Sequence, residues 1–352
     1  MFKVGIIGVG YVGSIHLEKF SCIDGVCITA ISDVDSAKVR EAKLKFNVKS
    51  TYSDHRILLE KADLDLVIIC VANHLHHDLT IEALELGHNV LCEKPMALNL
   101  KDARAMIEVS KRMKKTLLIV NNFRWDYLNP SIFQLKSMID SGWFGRIYHI
   151  RLNRIRSKTF PFNDYSRWNL DSRLSGGGVL IDLGPHMIDL GMWLASEYRV
   201  NAVLGSTDQG LLKLAKIDDF ASGIIKLASG VSLQVDLSWS SHHKPSWKID
   251  LFGDKGGASL RPDEGDQGNL KLFRLENNEL KNKKLDENSL SFSHEKSLQQ
   301  HVVECIQQNV ASDCSAENAY AVLESIFRWY KSAQSELYGQ EEVYFLSEQL
   351  SV

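Results

Sequence analysis

The sequence predicts an α/β fold in its first part, a doubly wound parallel sheet. An α+β second part with an open, mainly antiparallel sheet follows. Three observations carry this. Short apolar runs alternate with helical patterns up to about residue 122, the signature of parallel strands with crossover helices. A glycine cluster, Gly8-Val9-Gly10-Tyr11-Val12-Gly13, directly follows the first apolar run. After residue 123 the texture changes to long alternating segments, with tryptophan, arginine and proline more frequent, which reads as antiparallel sheet.

In chain order, Lys3 to Ile7 is a buried strand and Ser14 to Phe20 a helix with Ile15, Leu17 and Phe20 as apolar positions. Val26 to Ser32 is a second strand ending at Asp33. Leu64 to Val71 is a continuous apolar strand, and Leu79 to Leu86 a helix with Gly87 placed to cap it. Asn89 to Cys92 is a strand, Leu100 to Met113 an amphipathic helix and Thr116 to Val120 a fifth strand. In the second part, Ser131 to Asp140 is a helix. The alternating strands are Arg146–Ser157, Val200–Asp208, Ala221–Leu227, Val231–Ser240, Trp247–Phe252 and Leu270–Leu275. Helices Ser297–Gln308 and Ala316–Glu336 and a short strand Val343–Leu346 close the chain, and Pro262–Asn269 and Glu276–Ser289 read as polar loops. Two domains are therefore expected, 1–122 and 123–352, in a chain of 352 residues that is long for a single core.

Composition narrows the function classes. Lys and Arg number 41 against 44 Asp and Glu, a net charge of −3, so no nucleic-acid footprint and no anionic-membrane footprint is present. No apolar run reaches the roughly 18 residues of a membrane span. The N-terminus enters a strand at once, which leaves no space for a signal peptide. The six cysteines show neither CxxC nor metal spacing, and a reducing cytoplasm is expected.

The glycine cluster has the strand–turn–helix setting of a dinucleotide (Rossmann) site. Gly8 permits the turn, Gly10 the approach of a pyrophosphate and Gly13 close helix–strand packing, with the helix N-terminus supplying amides. Asp33 lies 33 − 13 = 20 residues past the last glycine. A carboxylate there accepts from the adenosine ribose hydroxyls and repels a 2′-phosphate, favouring NAD over NADP. The alternative makes Asp33 a turn residue, with Asp35 as the cap of the next helix.

With these residues in view, the chain resembles the glucose–fructose oxidoreductase/inositol dehydrogenase (Gfo/Idh/MocA) family over most of its length. The resemblance rests on Gly8 to Gly13 with Asp33, on Asn73-His74-Leu75-His76, and on Val90-Leu91-Cys92-Glu93-Lys94-Pro95. It rests further on Asn122-Phe123-Arg124 and on Gly176 to Asp189, which contains Asp182-Leu183-Gly184-Pro185-His186. One departure is Ala72, where the family often has proline before the asparagine.

The resemblance implies an NAD-dependent oxidoreductase acting on a hydroxyl or keto carbon of a sugar, polyol or cyclitol, with Lys94, Asp182 and His186 as catalytic residues. A lysine at a strand's carboxyl end can stabilise an oxygen gaining negative charge. Outside the family context it would be a surface lysine beside a turn proline. Asp182 and His186 are spaced i, i+4 and share a helix face, with the imidazole suited to take a hydroxyl proton and the carboxylate to orient it. The alternative is a buried pair that locks the helix. Asp189 continues that face, and Pro185 is expected to kink the helix or mark an early turn.

Cofactor-binding residues by the same reasoning are Gly8, Gly10, Tyr11, Val12, Gly13, Asp33, Val71, Asn73, His76, Glu93, Lys94 and Asn122. Substrate-binding residues are Lys94, Arg124, Trp168, Asp182 and His186. Trp168 either stacks on a sugar or belongs to the core. No metal is expected, because the His74, His76 and His77 cluster lacks a ligand pattern, and His242-His243 reads as a solvated turn.

Arg151, Arg154, Arg156, Lys158, Arg167 and Arg173 form a basic region with two readings. One is recognition of an acidic or phosphorylated sugar; the other, preferred, is an exposed strand face or subunit interface. Two alternatives stay open: an NAD-dependent glycosidase that oxidises its sugar transiently, which needs the same lysine and histidine, and a non-catalytic NAD-binding regulator on the same fold, against which the intact Lys94, Asp182 and His186 argue. A homodimer or homotetramer formed through the second-domain sheet is expected. Val231, Leu233, Val235 and Leu237 should face the domain's own helices, and the alternate face should be polar.

Overall fold

Parallel strands followed by crossover helices build the first of two compact units, as the alternating pattern predicts. The computed structural model describes residues 1–121, 123, 125, 130–157, 168–211, 216–264, 269–283 and 296–337. The first unit comprises Met1–Asn121, Arg173–Gly176 and Lys296–Tyr320; the second comprises Asn122–Ser172, Gly177–Glu295 and Ala321–Val352. Two segments from late in the chain thus join the N-terminal unit, a grouping that chain order does not reveal.

The strands of the first unit are β1 (Phe2–Ile7), β2 (Val26–Ser32), β3 (Ser50–Tyr52), β4 (Leu66–Ile69), β5 (Asn89–Cys92) and β6 (Leu117–Ile119). They form one six-stranded sheet in the order β3-β2-β1-β4-β5-β6, every pairing parallel. Strand order reverses between β1 and β4, and ligands of open α/β sheets bind at that switch point, beyond the carboxyl ends. All four residues of β4 are fully buried, which explains its unbroken apolar sequence.

The helices are α1 (Tyr11–Ser21), α2 (Ser36–Phe46), α3 (His55–Lys61), α4 (His76–Glu85) and α5 (Leu100–Met113). Side-chain caps start three of them: Asp35 for α2, Asp54 for α3 and Asn99 for α5. The Asp35 cap is the one foreseen. Two elements exceed their sequence patterns: α1 begins at Tyr11, directly after Gly10, and α4 begins at His76.

The second unit holds α6 (Ser131–Asp140), then β7 (Ile147–Ile155). The short α7 (Ser172–Ser175) and the long α8 (Val179–Ala195) follow. Its remaining strands are β8 (Val200–Asp208), β9 (Phe220–Leu227), β10 (Ser232–Ser238), β11 (Ser246–Gly253), β12 (Gly257–Arg261), β13 (Asn269–Glu276) and β14 (Glu279–Lys283). The eight-stranded sheet runs β14-β13-β12-β11-β7-β10-β9-β8 and is antiparallel except for the β7–β10 pair.

Helix α8 packs on β7, β9 and β10. The residues facing it, Ile150, Leu152, Leu233, Val235, Leu237, Ile249 and Leu251, are buried, as the alternation of β10 predicts. Strand β14 replaces part of an expected loop. Four of its five residues are polar, Leu280 being the exception, and it is mostly exposed as an edge strand, so no apolar alternation marks it. Pro185 does not break α8, which runs through it. Helix α9 (Leu298–Gln308) opens with a capping box from Ser297 and Gln300, and α10 (Ala316–Leu337) follows. The expected strand at 343–346 lies outside the described residues.

Candidate active site

The glycine loop of the first unit leaves space where a pyrophosphate belongs. Gly8 has φ +90°, and a Cβ on it would strike the Cys70 carbonyl. A Cβ on Gly13 would strike the Gly8 carbonyl, so only glycine lets α1 approach the loop. Gly10 differs: its φ is −68°, and nothing lies within 4 Å of where its Cβ would stand. Protein packing therefore does not require glycine there, whereas a ligand pressed against the backbone would. The first amides of α1, from Tyr11, Val12 and Gly13, lie beyond that space, without carbonyl partners in their own helix. This arrangement fits the diphosphate of a dinucleotide.

Asp33, at the end of β2, is half-buried and already bonded. Its Oδ2 accepts from the Val9 amide at 2.8 Å and its Oδ1 from the Asp35 amide at 2.8 Å. The carboxylate thus clamps the glycine loop to the start of α2 and keeps lone pairs for ribose hydroxyls.

At the carboxyl end of β5 the chain continues Glu93-Lys94-Pro95. Lys94 is half-buried. The Glu93 side chain, one of those the sequence offers for cofactor binding, is buried. Its Oε1 lies 3.0 Å from His16 Nε2, and the other nitrogen of that imidazole lies 3.3 Å from Gln299 Nε2. All three residues are buried, and Glu93 Oε2 accepts from the Lys94 amide at 3.3 Å. A buried polar chain thus ties α1 and α9 to the backbone that carries Lys94. Neither His16 nor Gln299 was singled out in the sequence, although His16 follows Gly13 by three residues on the buried face of α1.

His76 was expected to line the cofactor as well. It is fully buried, with Nδ1 2.8 Å from the Pro95 carbonyl and Nε2 3.1 Å from the Val71 carbonyl. It can reach a ligand only through the backbone it holds. Burial pushes its pKa down against the pull of those carbonyls. Asn73 Nδ2 donates to the Ser175 carbonyl at 2.8 Å. Tyr11 is exposed at 81%, and Val12 at 38%. Burial pushes the Cys70 and Cys92 thiols up, so neither is a thiolate.

In the second unit, α8 is positioned by a residue the sequence reading passed over. Asp218 accepts from the Gly178 amide at 2.9 Å, the Leu180 amide at 2.8 Å and the Tyr330 hydroxyl at 2.9 Å, fixing the helix N-terminus. Burial pushes its carboxyl up, against those donors.

One face of α8 presents Asp182 and His186. Trp239 Nε1 donates to Asp182 Oδ2 at 2.8 Å. Phe123 stacks on the His186 ring with centroids 4.3 Å apart and planes 3° from parallel. Trp247 lies 5.0 Å beyond Phe123. His186 is 6% exposed, and Asp182 is half-buried. Such a face can hold a carboxylate and an imidazole in fixed orientation, which proton transfer requires.

Asp189 accepts from the Tyr198 hydroxyl at 3.1 Å. Trp168 is 41% exposed, so it is not core. Asn122 and Arg124 lie outside the described residues. No group of three or more metal-ligating side chains occurs among the described residues, and His242 and His243 are exposed.

Comparison with known proteins agrees with this arrangement. Residues 2–122 match the family described as "Oxidoreductase family, NAD-binding Rossmann fold", and residues 132–259 match the GFO/IDH/MocA C-terminal domain. The chain is 29% identical to myo-inositol 2-dehydrogenase of Thermotoga maritima over 285 residues, 77% of this chain and 81% of that protein. It is 25% identical to levoglucosan dehydrogenase of Pseudarthrobacter phenanthrenivorans, over 75% of each. A solved levoglucosan dehydrogenase in complex with NADH and levoglucosan superposes with a TM-score of 0.83, covering 95% of this chain and 98% of that one at 20% identity, a likeness of fold. Both domain matches, the glycine loop and the residues of α8 point one way: the chain belongs to the Gfo/Idh/MocA family of oxidoreductases, with an N-terminal NAD-binding Rossmann domain.

Proposed function

We propose that this protein is an NAD-dependent dehydrogenase of a sugar, polyol or cyclitol, removing hydrogen from a hydroxyl carbon or returning it to the corresponding ketone. The observation that carries the reading is the α8 face, where Trp239 anchors Asp182 and Phe123 fixes the plane of His186. A protein that merely sensed NAD would need no oriented acid/base pair. Relatives named as dehydrogenases of myo-inositol, levoglucosan and D-apiose support the substrate class.

NAD, when bound, supplies the hydride acceptor. The chain's own residues do the rest. The glycine loop and the first amides of α1 hold the diphosphate, and Asp33 holds the adenosine ribose. His186 takes the hydroxyl proton, and Asp182 orients the imidazole and balances its charge. Lys94 is the group read as stabilising negative charge on a substrate oxygen. In the reverse direction the same groups return the proton.

A panel of sugars, polyols and cyclitols, followed by NADH absorbance with NAD and NADP in parallel, tests the reading. Oxidation of one class with NAD preferred is expected; no turnover across the panel would overturn it.

We also read the protein as a cytoplasmic homodimer or homotetramer. Leu204 and Ile224 are register partners on the face of β8 and β9 away from α8 and are 60% and 46% exposed. An apolar pair on an open sheet favours association. Light scattering that finds only monomer at about micromolar concentration would refute the oligomer.

A further inference from the structure

The face of the second sheet that packs against α8 is apolar until its last rows, and there it changes character. Arg154 has the parity of Ile150 and Leu152, so its side chain lies on that covered face, while Arg151 points the other way and is exposed. The basic region of the sequence is therefore split, and the preferred reading of an exposed strand face does not apply to Arg154. Its register partners are Leu237 on β10 and Trp247 on β11.

The Arg154 guanidinium stacks on Trp247, with Cζ 5.2 Å from the ring centroid. Among the described residues its buried Nε has no hydrogen-bond partner, and the same holds for Trp247 Nε1. Trp247 itself is 4% exposed. Among the described residues, the one carboxylate within ion-pair range of Arg154 is Asp263, at 3.9 Å from Nη1. Burial and the neighbouring Arg156 both work against the Arg154 charge.

Two orphaned donors in one spot are costly. Each buried donor without an acceptor forfeits the hydrogen bond it made to water, and a charged group forfeits more. Such groups call for an explanation, and an acceptor supplied from outside the chain is one. The spot is two aromatic contacts from the proposed base: Trp247 to Phe123 is 5.0 Å, and Phe123 to His186 is 4.3 Å.

The donor set selects the ligand chemistry. A guanidinium fork and an indole N–H offer donors only, so the partner must be an acceptor. Arg154 and Arg156 against Asp263 leave 2 − 1 = +1, a charge matched by a monoanion. A planar carboxylate satisfies both the fork and the charge.

We propose that Arg154 and Trp247 bind a carboxylate carried by the substrate, so that the compound oxidised is a sugar acid of the aldonate or uronate class. This rests on the dehydrogenase reading above and narrows it.

The test compares matched compounds: D-glucuronate with D-glucose, D-gluconate with D-glucitol, and D-glucose 6-phosphate as the phosphorylated alternative. Turnover is followed by NADH formation, and binding to the NAD-saturated protein by calorimetry. The acids should exceed their neutral partners at least about tenfold in kcat/KM. Arg154→Gln should cut that selectivity about ten- to hundredfold, through KM rather than kcat, the effect of losing a charge-assisted hydrogen bond. Trp247→Phe keeps an aromatic ring but removes the N–H together with the rest of the pyrrole ring, so it serves if Arg154→Gln fails to fold, with turnover of the neutral compounds as the control for the lost volume. It should cut the selectivity about fivefold.

Preference for the neutral compounds or for the phosphate would overturn the carboxylate site and leave the dehydrogenase standing. Equal losses on acids and neutral compounds in both variants would do the same. Acids that bind in an Arg154-dependent way without turnover would overturn the proposed reaction and leave the site standing. Neither binding nor turnover of any of them would overturn the carboxylate site, while the wider panel above decides the dehydrogenase reading.

Discussion

Replacing Asp33 by alanine tests two roles of one carboxylate. Its oxygens accept from the Val9 and Asp35 amides, both at 2.8 Å, and each keeps a further lone pair that a ribose hydroxyl could use. A hydrogen bond to a charged group is worth about 1.5–3 kcal/mol when buried; for a half-buried acceptor about 1 kcal/mol each is reasonable. Asp33→Ala should therefore destabilise the unliganded protein by about 2 kcal/mol, read from urea unfolding. NAD affinity should fall by about ten- to hundredfold from the lost ribose contact, and the preference over NADP should narrow, both read by calorimetry. Asp33→Asn keeps one acceptor oxygen and should cost about half as much stability. Unchanged stability in Asp33→Ala would refute the clamp on the glycine loop. An unchanged NAD-to-NADP ratio, or a parent protein that binds NADP more tightly, would refute the cofactor role.

Three further outcomes are expected. Lys94→Ala should lower kcat at least about a hundredfold with little change in NAD affinity, because it removes a donor used mainly in the transition state; near-normal turnover would remove Lys94 from the mechanism. Trp239→Phe deletes the 2.8 Å donor to Asp182 but keeps an aromatic ring, and kcat should drop about five- to tenfold in steady-state assays. The pKa of buried His76 is held below its ordinary 6.5, so the stability it contributes is complete above 6.5 and is lost as pH falls through the depressed value. Urea midpoints at about pH 7.5 and about pH 5 should differ less in His76→Gln than in the parent, and an equal difference would exclude His76 as the group responsible.

Local patterns made much of the fold legible. The parallel strands of the first unit are buried on both faces, so β4 and β5 read as continuous apolar runs. The inner strands of the second sheet are buried on one face, so β10 alternates. Edge elements were missed because neither rule reaches them: β14 is mostly polar and exposed, and β3 is only three residues long.

The sequence by itself determined the residue types the chemistry needs and their spacing. Gly8, Gly10 and Gly13 before a helix, Asp33 after the next strand, Lys94 after Glu93, and Asp182 one turn before His186 are all local relations. Only the tertiary structure decided what those residues touch. It set Glu93 against His16, which in turn meets Gln299, buried His76 against two carbonyls, and brought Trp239 to Asp182 and Phe123 to His186. Apart from the two carbonyls on His76, these partners lie between 57 and 283 residues apart in the chain, and no periodicity encodes a distance of that kind. Arg154 shows the same limit at close range, since the sequence placed it among six basic residues and the burial of one sheet face gave it a different role from its neighbour Arg151.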